Sequence, residues 1–321
     1  MTRWGILGPG RIAHKFVQDL RTLPDAQLYA VASSDQQRAD AFAQEYEIPH
    51  AFGTYEALLS LPDLDVVYVA TPHVKHYENV MMLLNGGVHV LGEKPFAMNG
   101  EQVREMVTTA RTKGVFLMEA LWSRFMPGIQ HALKLAQSGA VGKIISVKAD
   151  FGFKAPFVPE NRLFNKKLGG GLLLDIGIYP LFLSYLILGN PTKVKALASF
   201  GTTAVDEQCA MALSYEGGQV ALLDSTLQAK TDCLGIIQGE TGQIRIHGRF
   251  HETMAVTLQP EDGASNTVTF DRQTHGYDYE AQHVMDCLAR GRTESPLWSL
   301  DDSLNLINLL DAVRAEAGIQ Y

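Results

Sequence analysis

Trp4-Gly5-Ile6-Leu7-Gly8-Pro9-Gly10-Arg11-Ile12-Ala13 decides the fold. A short apolar run stops at a glycine turn and a helical period begins at once, with Ile12, Ala13, Phe16, Val17 and Leu20 on one face. Gly8, Gly10 and Ala13 form a G-x-G-x-x-A. The first glycine permits a tight turn, the second lets a pyrophosphate approach the backbone, and the small Ala13 allows close packing of helix and strand. Arg11 and Ile12 open the helix, whose N-terminal amides and dipole attract an anion. The same spacing also arises in turns that bind nothing; the position between a first strand and a first helix is what points to a dinucleotide.

As far as about Ala120, short apolar runs alternate with amphipathic stretches, the pattern of a parallel sheet covered by helices on both faces. Strands are expected over residues 4–7, 28–33, 51–52, 65–70, 88–92 and 115–119. Asn99 with Gln102 reads as a helix N-cap, Val103, Met106, Val107 and Ala110 as the buried face that follows, and Gly114 as its C-cap. After a helix over 127–139 the texture changes: Ile145, Val147, Ala149, Phe151 and Phe153 alternate with polar or small residues. Further strand-like runs over 193–200, 208–215, 220–227, 233–238 and 243–247, with Gly-rich turns between several, predict a mostly antiparallel meander. Two helices close the chain, over 277–288 and 300–317, the second opened by Ser299 and Asp302 as a capping box. The expected architecture is α/β: a doubly wound parallel-sheet domain over 1–122, then an α+β domain with a large open sheet over 123–321.

The 27 Lys and Arg against 35 Asp and Glu leave a net charge of −8, which argues against binding along a nucleic acid or on an anionic membrane. Three cysteines, Cys209, Cys233 and Cys287, form no CxxC pair, so neither a disulfide framework nor a zinc site is signalled and a reducing cytoplasm fits. Met1 is followed at once by a strand-like run, so no secretory leader is expected. The most apolar stretch, residues 172–188, is interrupted by Asp175, Gly177 and Pro180 and reads as a buried helix with a polar entry.

Strand tips carry the candidate chemistry. The second strand ends at Ser33-Ser34, without the carboxylate that accepts hydrogen bonds from a ribose 2′-hydroxyl in NAD-selective sites. Ser33, Ser34 and Arg38 instead suit a 2′-phosphate, favouring NADP, although Asp35 remains able to bond a ribose and Arg38 to be a solvated helix charge. Thr71-Pro72-His73 and Glu93-Lys94-Pro95 follow the fourth and fifth strands, where open α/β sheets hold their ligands. Lys94 there either handles a substrate oxygen or is part of a surface turn. His73 and His76 have helical spacing but no third ligand, so no metal is expected. His247, His251 and His275 are expected at surface or turn positions. In Gly169-Gly170-Gly171-Leu172-Leu173-Leu174-Asp175-Ile176-Gly177-Ile178-Tyr179, Asp175 and Tyr179 share a helix face; such a pair marks either a structural hydrogen bond or a site.

The glycine turn, Glu93-Lys94-Pro95 and the Gly169–Tyr179 run together resemble the Gfo/Idh/MocA oxidoreductase family over essentially the whole chain. Met118-Glu119-Ala120-Leu121-Trp122-Ser123-Arg124-Phe125-Met126-Pro127 and Asp175-Ile176-Gly177-Ile178-Tyr179 are most similar to its branch of dimeric dihydrodiol dehydrogenases and NADP-dependent xylose dehydrogenases. The resemblance implies a Rossmann domain, metal-free chemistry, a catalytic Lys94 followed by a cis Lys94-Pro95 bond, and Asp175 and Tyr179 facing the substrate. It further implies that Thr71, Pro72, His73, His76 and Glu93 lie beside the nicotinamide, and that Trp122, Arg124, Phe151 and Phe153 border nicotinamide or substrate. Phe151 and Phe153 are equally explained as the inner face of a strand. Many family members carry His at Tyr179, so the tyrosine becomes the candidate acid/base, its phenolate stabilised by Lys94, while Asp175 orients hydroxyls or holds Lys94.

The function expected is hydride transfer between NADP, or NAD, and a CH–OH carbon of a sugar or cyclic diol. The alternatives are a redox-assisted glycosidase with tightly bound cofactor and a non-catalytic nucleotide sensor. A homodimer formed through the open C-terminal sheet is also expected.

Overall fold

The computed structural model describes residues 1–321. The chain forms two compact units, Met1–Trp122 with Arg272–Leu304, and Ser123–Asp271 with Asn305–Tyr321. The uninterrupted second domain expected over 123–321 is thereby corrected, because 272–304 returns to the first unit.

In the first unit the order is β1 (Thr2–Leu7), α1 (Arg11–Leu20), β2 (Ala26–Ala32), α2 (Gln36–Tyr46), β3 (His50–Phe52), β4 (Val66–Val69), α3 (His76–Asn85), β5 (His89–Glu93), α4 (Gly100–Lys113) and β6 (Leu117–Ala120). All six strands are parallel in the order β3-β2-β1-β4-β5-β6. Helices cover the sheet, so strands such as Val66–Val69 are buried along their whole length and read as unbroken apolar runs. The Asn99 side chain accepts the Gln102 N–H at 3.0 Å, and Gly114 ends α4 with φ 62°.

The returning segment brings α7 (Tyr277–Ala289). Asp19 of α1, buried, fixes its entry: one carboxylate oxygen accepts the His275 N–H at 3.0 Å and the other the Tyr277 N–H at 2.8 Å. At the other end, Leu117 N–H donates to Thr293 O at 3.1 Å and the Trp298 indole N–H to Glu119 Oε2 at 3.2 Å. Helix α8 (Leu300–Ala317) starts with the expected capping box, Ser299 N–H and Oγ–H both donating to Asp302 Oδ2 while Asp302 N–H donates to Ser299 Oγ.

The second unit holds α5 (Pro127–Gln137), β7 (Ile144–Gly152), α6 (Ile178–Leu188), β8 (Lys193–Phe200), β9 (Asp206–Ser214), β10 (Val220–Thr226), β11 (Gly235–Gly239), β12 (Gly242–Ile246), β13 (Ala255–Pro260) and β14 (Asn266–Thr269). Its eight strands run β14-β13-β12-β11-β7-β10-β9-β8. The sheet is mostly antiparallel but not a simple meander: β7 inserts between β11 and β10 and lies parallel to β10. Strands β13 and β14 extend it beyond the expected set. The apolar run Lys166–Leu188 is long enough to cross a membrane, yet it is mostly buried within this unit, where α6 packs on β7 and β10. It opens as a π-helical turn, Leu173–Gly177, rather than as regular α-helix.

Candidate active site

The carboxyl ends of β1 and β4 flank the point where strand order reverses, the ligand crevice of open α/β sheets. Gly8 ends β1 with φ 92°, and a Cβ there would meet Thr71 Cγ2 at 3.0 Å and Ala70 O at 3.1 Å. Gly10 is the residue before α1, in open space with only Ala70 O within 4 Å of an added Cβ. No side chain caps α1 and its first turn, which contains Arg11 and Ile12, carries no acid. The amides at this helix start are thus offered to an anion with no competing carboxylate on the same turn, as a dinucleotide pyrophosphate requires.

At the tip of β2, Ser33 is buried and its Oγ accepts the Asp35 N–H at 3.3 Å. Asp35 is turned to structure: its carboxylate caps α2 by accepting the Arg38 N–H at 2.8 Å. Arg38 Nη2 meanwhile donates to Ser34 Oγ at 2.9 Å on the exposed surface. A cation and a hydroxyl therefore stand where an NAD site has its ribose-binding acid, and the carboxylate that competed for this role in the sequence has another partner.

Thr71, Pro72 and His73 follow β4, with Thr71 Oγ1 accepting from Asn79 Nδ2 at 3.0 Å and His73 buried. Both ring nitrogens of His76 face backbone carbonyls, Pro95 O at 2.7 Å and Thr71 O at 2.8 Å, so this ring clamps the loops after β4 and β5. The Lys94-Pro95 bond is cis. Glu93 points into the unit: the Tyr68 hydroxyl donates to it, as does the Lys94 N–H at 3.0 Å. Burial, with the charges of Glu93 and Glu280 next, raises the Tyr68 pKa well above that of a free tyrosine. Burial likewise raises Glu280 well above the carboxylate range, with Glu93 and Asp19 adding to it. Lys94 itself is half-buried at the strand end. Trp122 is stacked on Tyr277 with centroids 4.9 Å apart and planes at 25°; Tyr277, brought in by the returning segment, had no sequence signal.

The second unit gathers another set. Asp175 lies in the π turn and Tyr179, buried, in the first turn of α6. Phe151 from the end of β7 sits 5.6 Å from Tyr179 and 6.5 Å from Phe153, ring centre to ring centre. His251 lies in the turn Phe250–Glu252, a turn position as expected, but it is buried rather than at the surface, 4.3 Å from Phe151 and 4.8 Å from Tyr179. Arg162 Nη2 donates to Asp175 Oδ1 at 2.7 Å. Arg124 is buried in the turn Trp122–Phe125, its carbonyl accepting from Gln130 Nε2 at 3.0 Å. The helix that carries Asp175 and Tyr179 is anchored beneath by Asp206, whose Oδ2 accepts the Leu173 N–H at 2.7 Å; burial pushes the Asp206 pKa up to about 7.

Residues 2–121 match the model of an oxidoreductase family with an NAD-binding Rossmann fold, and residues 129–249 that of the GFO/IDH/MocA C-terminal domain. The chain is 38% identical over 330 residues to a trans-1,2-dihydrobenzene-1,2-diol dehydrogenase of Xenopus tropicalis, covering 100% of this chain and 99% of that protein. The enzyme of that name from Homo sapiens is 34% identical, with 99% and 98% covered. Among solved structures, the 3-ketoreductase KijD10 of Actinomadura kijaniata, in complex with NADP and TDP-benzene, superposes with TM-score 0.88 at 27% identity over 98% of both chains. An aldose-aldose oxidoreductase of Caulobacter crescentus, complexed with glycerol, gives 0.89 at 25%, covering 99% and 97%. With family models matched over both the N-terminal and the C-terminal parts, the chain belongs to the GFO/IDH/MocA family of NAD(P)-binding oxidoreductases.

Proposed function

We propose that this oxidoreductase is an NADP-preferring dehydrogenase that moves a hydride between the nicotinamide and a CH–OH carbon of a cyclic trans-diol or a sugar. The observation that carries the reading is the Asp175 and Tyr179 pair on one anchored helix, in a chain alike over its full length to trans-diol dehydrogenases. Ser34 with Arg38, and Asp35 engaged as a helix cap, support NADP over NAD.

Gly8, Gly10, Arg11 and Ile12 would hold the pyrophosphate, Ser33, Ser34 and Arg38 the adenosine side, and Thr71, Pro72, His73, His76 and Glu93 would shape the nicotinamide end. When bound, the nicotinamide supplies the hydride acceptor in oxidation and the hydride donor in reduction. In the oxidative direction Tyr179 would take the hydroxyl proton, the O–H bonding pair would become the second bond of C=O, and the carbinol hydrogen would leave carbon together with its bonding pair. Lys94 would hold the reacting oxygen, and its charge would favour a phenolate acting as the base. Asp175 accepts from a substrate hydroxyl, and Trp122, Phe151 and Phe153 offer apolar faces to the ring.

The reading is tested by mixing the protein with NADP+ or NAD+ and a panel of trans-cyclic diols, aldoses and inositols, and following reduced nicotinamide by absorbance. Turnover with a diol or sugar, faster with NADP+, is expected; tight nicotinamide binding with no turnover on any member would overturn it.

The same reading includes a homodimer in a reducing, cytoplasmic setting. The three buried thiols support the latter. The outer face of the large sheet supports the former: Leu197 is 80% and Leu222 51% exposed, while Lys148 and Lys195 share that face with Asp150 and Asp224. An apolar patch that carries both signs of charge suits a second copy related by a twofold axis. Light scattering on the eluted protein should give twice the chain mass, and Leu197→Glu with Leu222→Glu should give the monomer.

A further inference from the structure

Residues 154–165 contain no strand or helix, yet their path is fixed by the glycine run that follows. Asn161 N–H donates to Val158 O and Phe164 N–H to Asn161 O, both at 2.9 Å, and Phe157 meets Phe164 edge-on with centroids 5.0 Å apart. The segment is then laid on the glycines: Gly171 N–H donates to Leu163 O at 2.9 Å and Gly170 N–H to Asn165 O at 3.0 Å. A Cβ on Gly170 would stand 2.4 Å from Arg162 O and 2.7 Å from Asn165 O, so no larger residue lets the backbone at Arg162 come this close. Gly169-Gly170-Gly171 thus brings the Arg162 side chain to Asp175, where its Nη2 donates at 2.7 Å. The pair is neither sealed nor loose, with side-chain exposures of 32% and 13%.

We infer that Arg162 is a specificity-determining residue. Together with Asp175 it recognises the hydroxyl next to the one being oxidised, and so selects 1,2-diols over simple alcohols. The inference rests on the assignment of Asp175 to the substrate side made above. Its chemistry follows from the two groups. A guanidinium carries five donors and no acceptor, and a carboxylate offers about four acceptor positions and no donor, so a bonded pair can still engage a ligand along its edges. A hydroxyl is the ligand that answers both, donating its proton to the carboxylate while its oxygen accepts from the guanidinium. A methylene at that position answers neither, and a site built around a hydroxyl strongly rejects an analogue that lacks it. A lysine would supply charge without the planar fork that aligns with a carboxylate.

The test uses the NADP+-loaded full chain as wild type, Arg162→Met and Arg162→Lys, with trans-1,2-cyclohexanediol and cyclohexanol as paired probes. In Arg162→Met, kcat/KM for the diol is expected to fall about 10-fold or more, chiefly through KM, while the value for cyclohexanol changes by less than about twofold. Arg162→Lys should recover part of the loss. Equal losses on both probes, or a fall in kcat alone, would overturn the inference in favour of a purely structural clamp. Calorimetric titration of each protein with the diol separates this outcome from failure of the dehydrogenase reading. If wild type turns over neither probe but binds the diol, and Arg162→Met does not, the inference stands without that reading. Equal binding by both, or none by wild type, removes it.

Discussion

The imidazole of His251 lies nearly flat on the ring of Phe151, with centroids 4.3 Å apart and planes inclined by 15°. The same imidazole packs against Tyr179 at 4.8 Å and 40°, so the proposed proton-transfer residue has an aromatic wall contributed by two distant stretches of chain. Arg249 Nη2, at 3.4 Å from its Nε2, and Glu252, at 3.9 Å, approach the imidazole from its own turn. Aromatic contacts of this kind contribute about 0.5–1.5 kcal/mol each beyond area burial, and here they also restrict where the phenol can point.

His251→Ala is therefore expected to lower kcat about tenfold through freedom gained by Tyr179, and to lower the melting temperature, whereas His251→Phe should restore most of both losses. Steady-state rates and thermal melts on the two variants check this. If His251→Phe is as slow as His251→Ala while melting like wild type, a ring nitrogen is used chemically and the packing account fails.

Arg38 and Ser34 give the second prediction. A charge-assisted hydrogen bond to phosphate contributes about 1.5–3 kcal/mol, reduced here because the Arg38 and Ser34 pair is exposed to screening. Arg38→Leu should weaken NADP+ about 10-fold and leave NAD+ affinity unchanged, as read by fluorescence titration at fixed ionic strength. A parallel loss for both cofactors would place Arg38 elsewhere than at a 2′-phosphate.

The parts of the molecule legible in the sequence are those whose physics is local. Parallel strands buried on both faces must be apolar without interruption, so Val66–Val69 and its neighbours show themselves; a glycine turn before a helix is equally direct. The caps at Asn99 and Ser299 are set by residues three apart. His251 is different. It follows Gly248-Arg249-Phe250, a surface-like turn, and is buried against Phe151 of β7 and Tyr179 of α6, which no local pattern records. Tyr277 and Arg162 are hidden for the same reason: one depends on Asp19 receiving two backbone N–H groups across the chain, the other on a glycine run that follows it. Strand β14 is exposed along most of its length and β13 ends at Pro260, so the apolar alternation that reveals an inner strand is weak or absent.

Asp206 makes stability depend on pH in the direction opposite to that of most carboxylates. Its pKa is about 7 in the folded chain against a reference value of 3.8, because burial disfavours the charge more than the Leu173 N–H and neighbouring groups restore it. Between these values the folded chain binds more protons than the unfolded one, so this group lowers stability as pH rises from about 4 to 7, by up to about 4 kcal/mol. Asn at this position keeps an acceptor for the Leu173 N–H and removes the charge. Asp206→Asn should gain on wild type in denaturant titrations as pH increases over that window, and a gap independent of pH would contradict the assignment.

Lys94 and Tyr179 are the residues whose loss should separate chemistry from binding. Neither belongs to the glycine turn at Gly8 and Gly10 that is proposed to hold the pyrophosphate, so removing either should leave that turn intact. General acid–base catalysis contributes about 10²–10⁴ in rate, and Tyr179→Phe removes the transferable proton while keeping the ring that packs on Phe151 and His251. Turnover should therefore drop about 100-fold or more in Tyr179→Phe and in Lys94→Ala, with NADP+ affinity within about threefold of wild type in both. The double variant is the sharper measurement. If the lysine acts through the phenol, the two losses are less than additive, because a residue that only stabilises the phenolate has nothing to do once the phenol is gone. Full additivity would assign Lys94 to the substrate oxygen alone, and retained turnover in Tyr179→Phe would move the proton to another group.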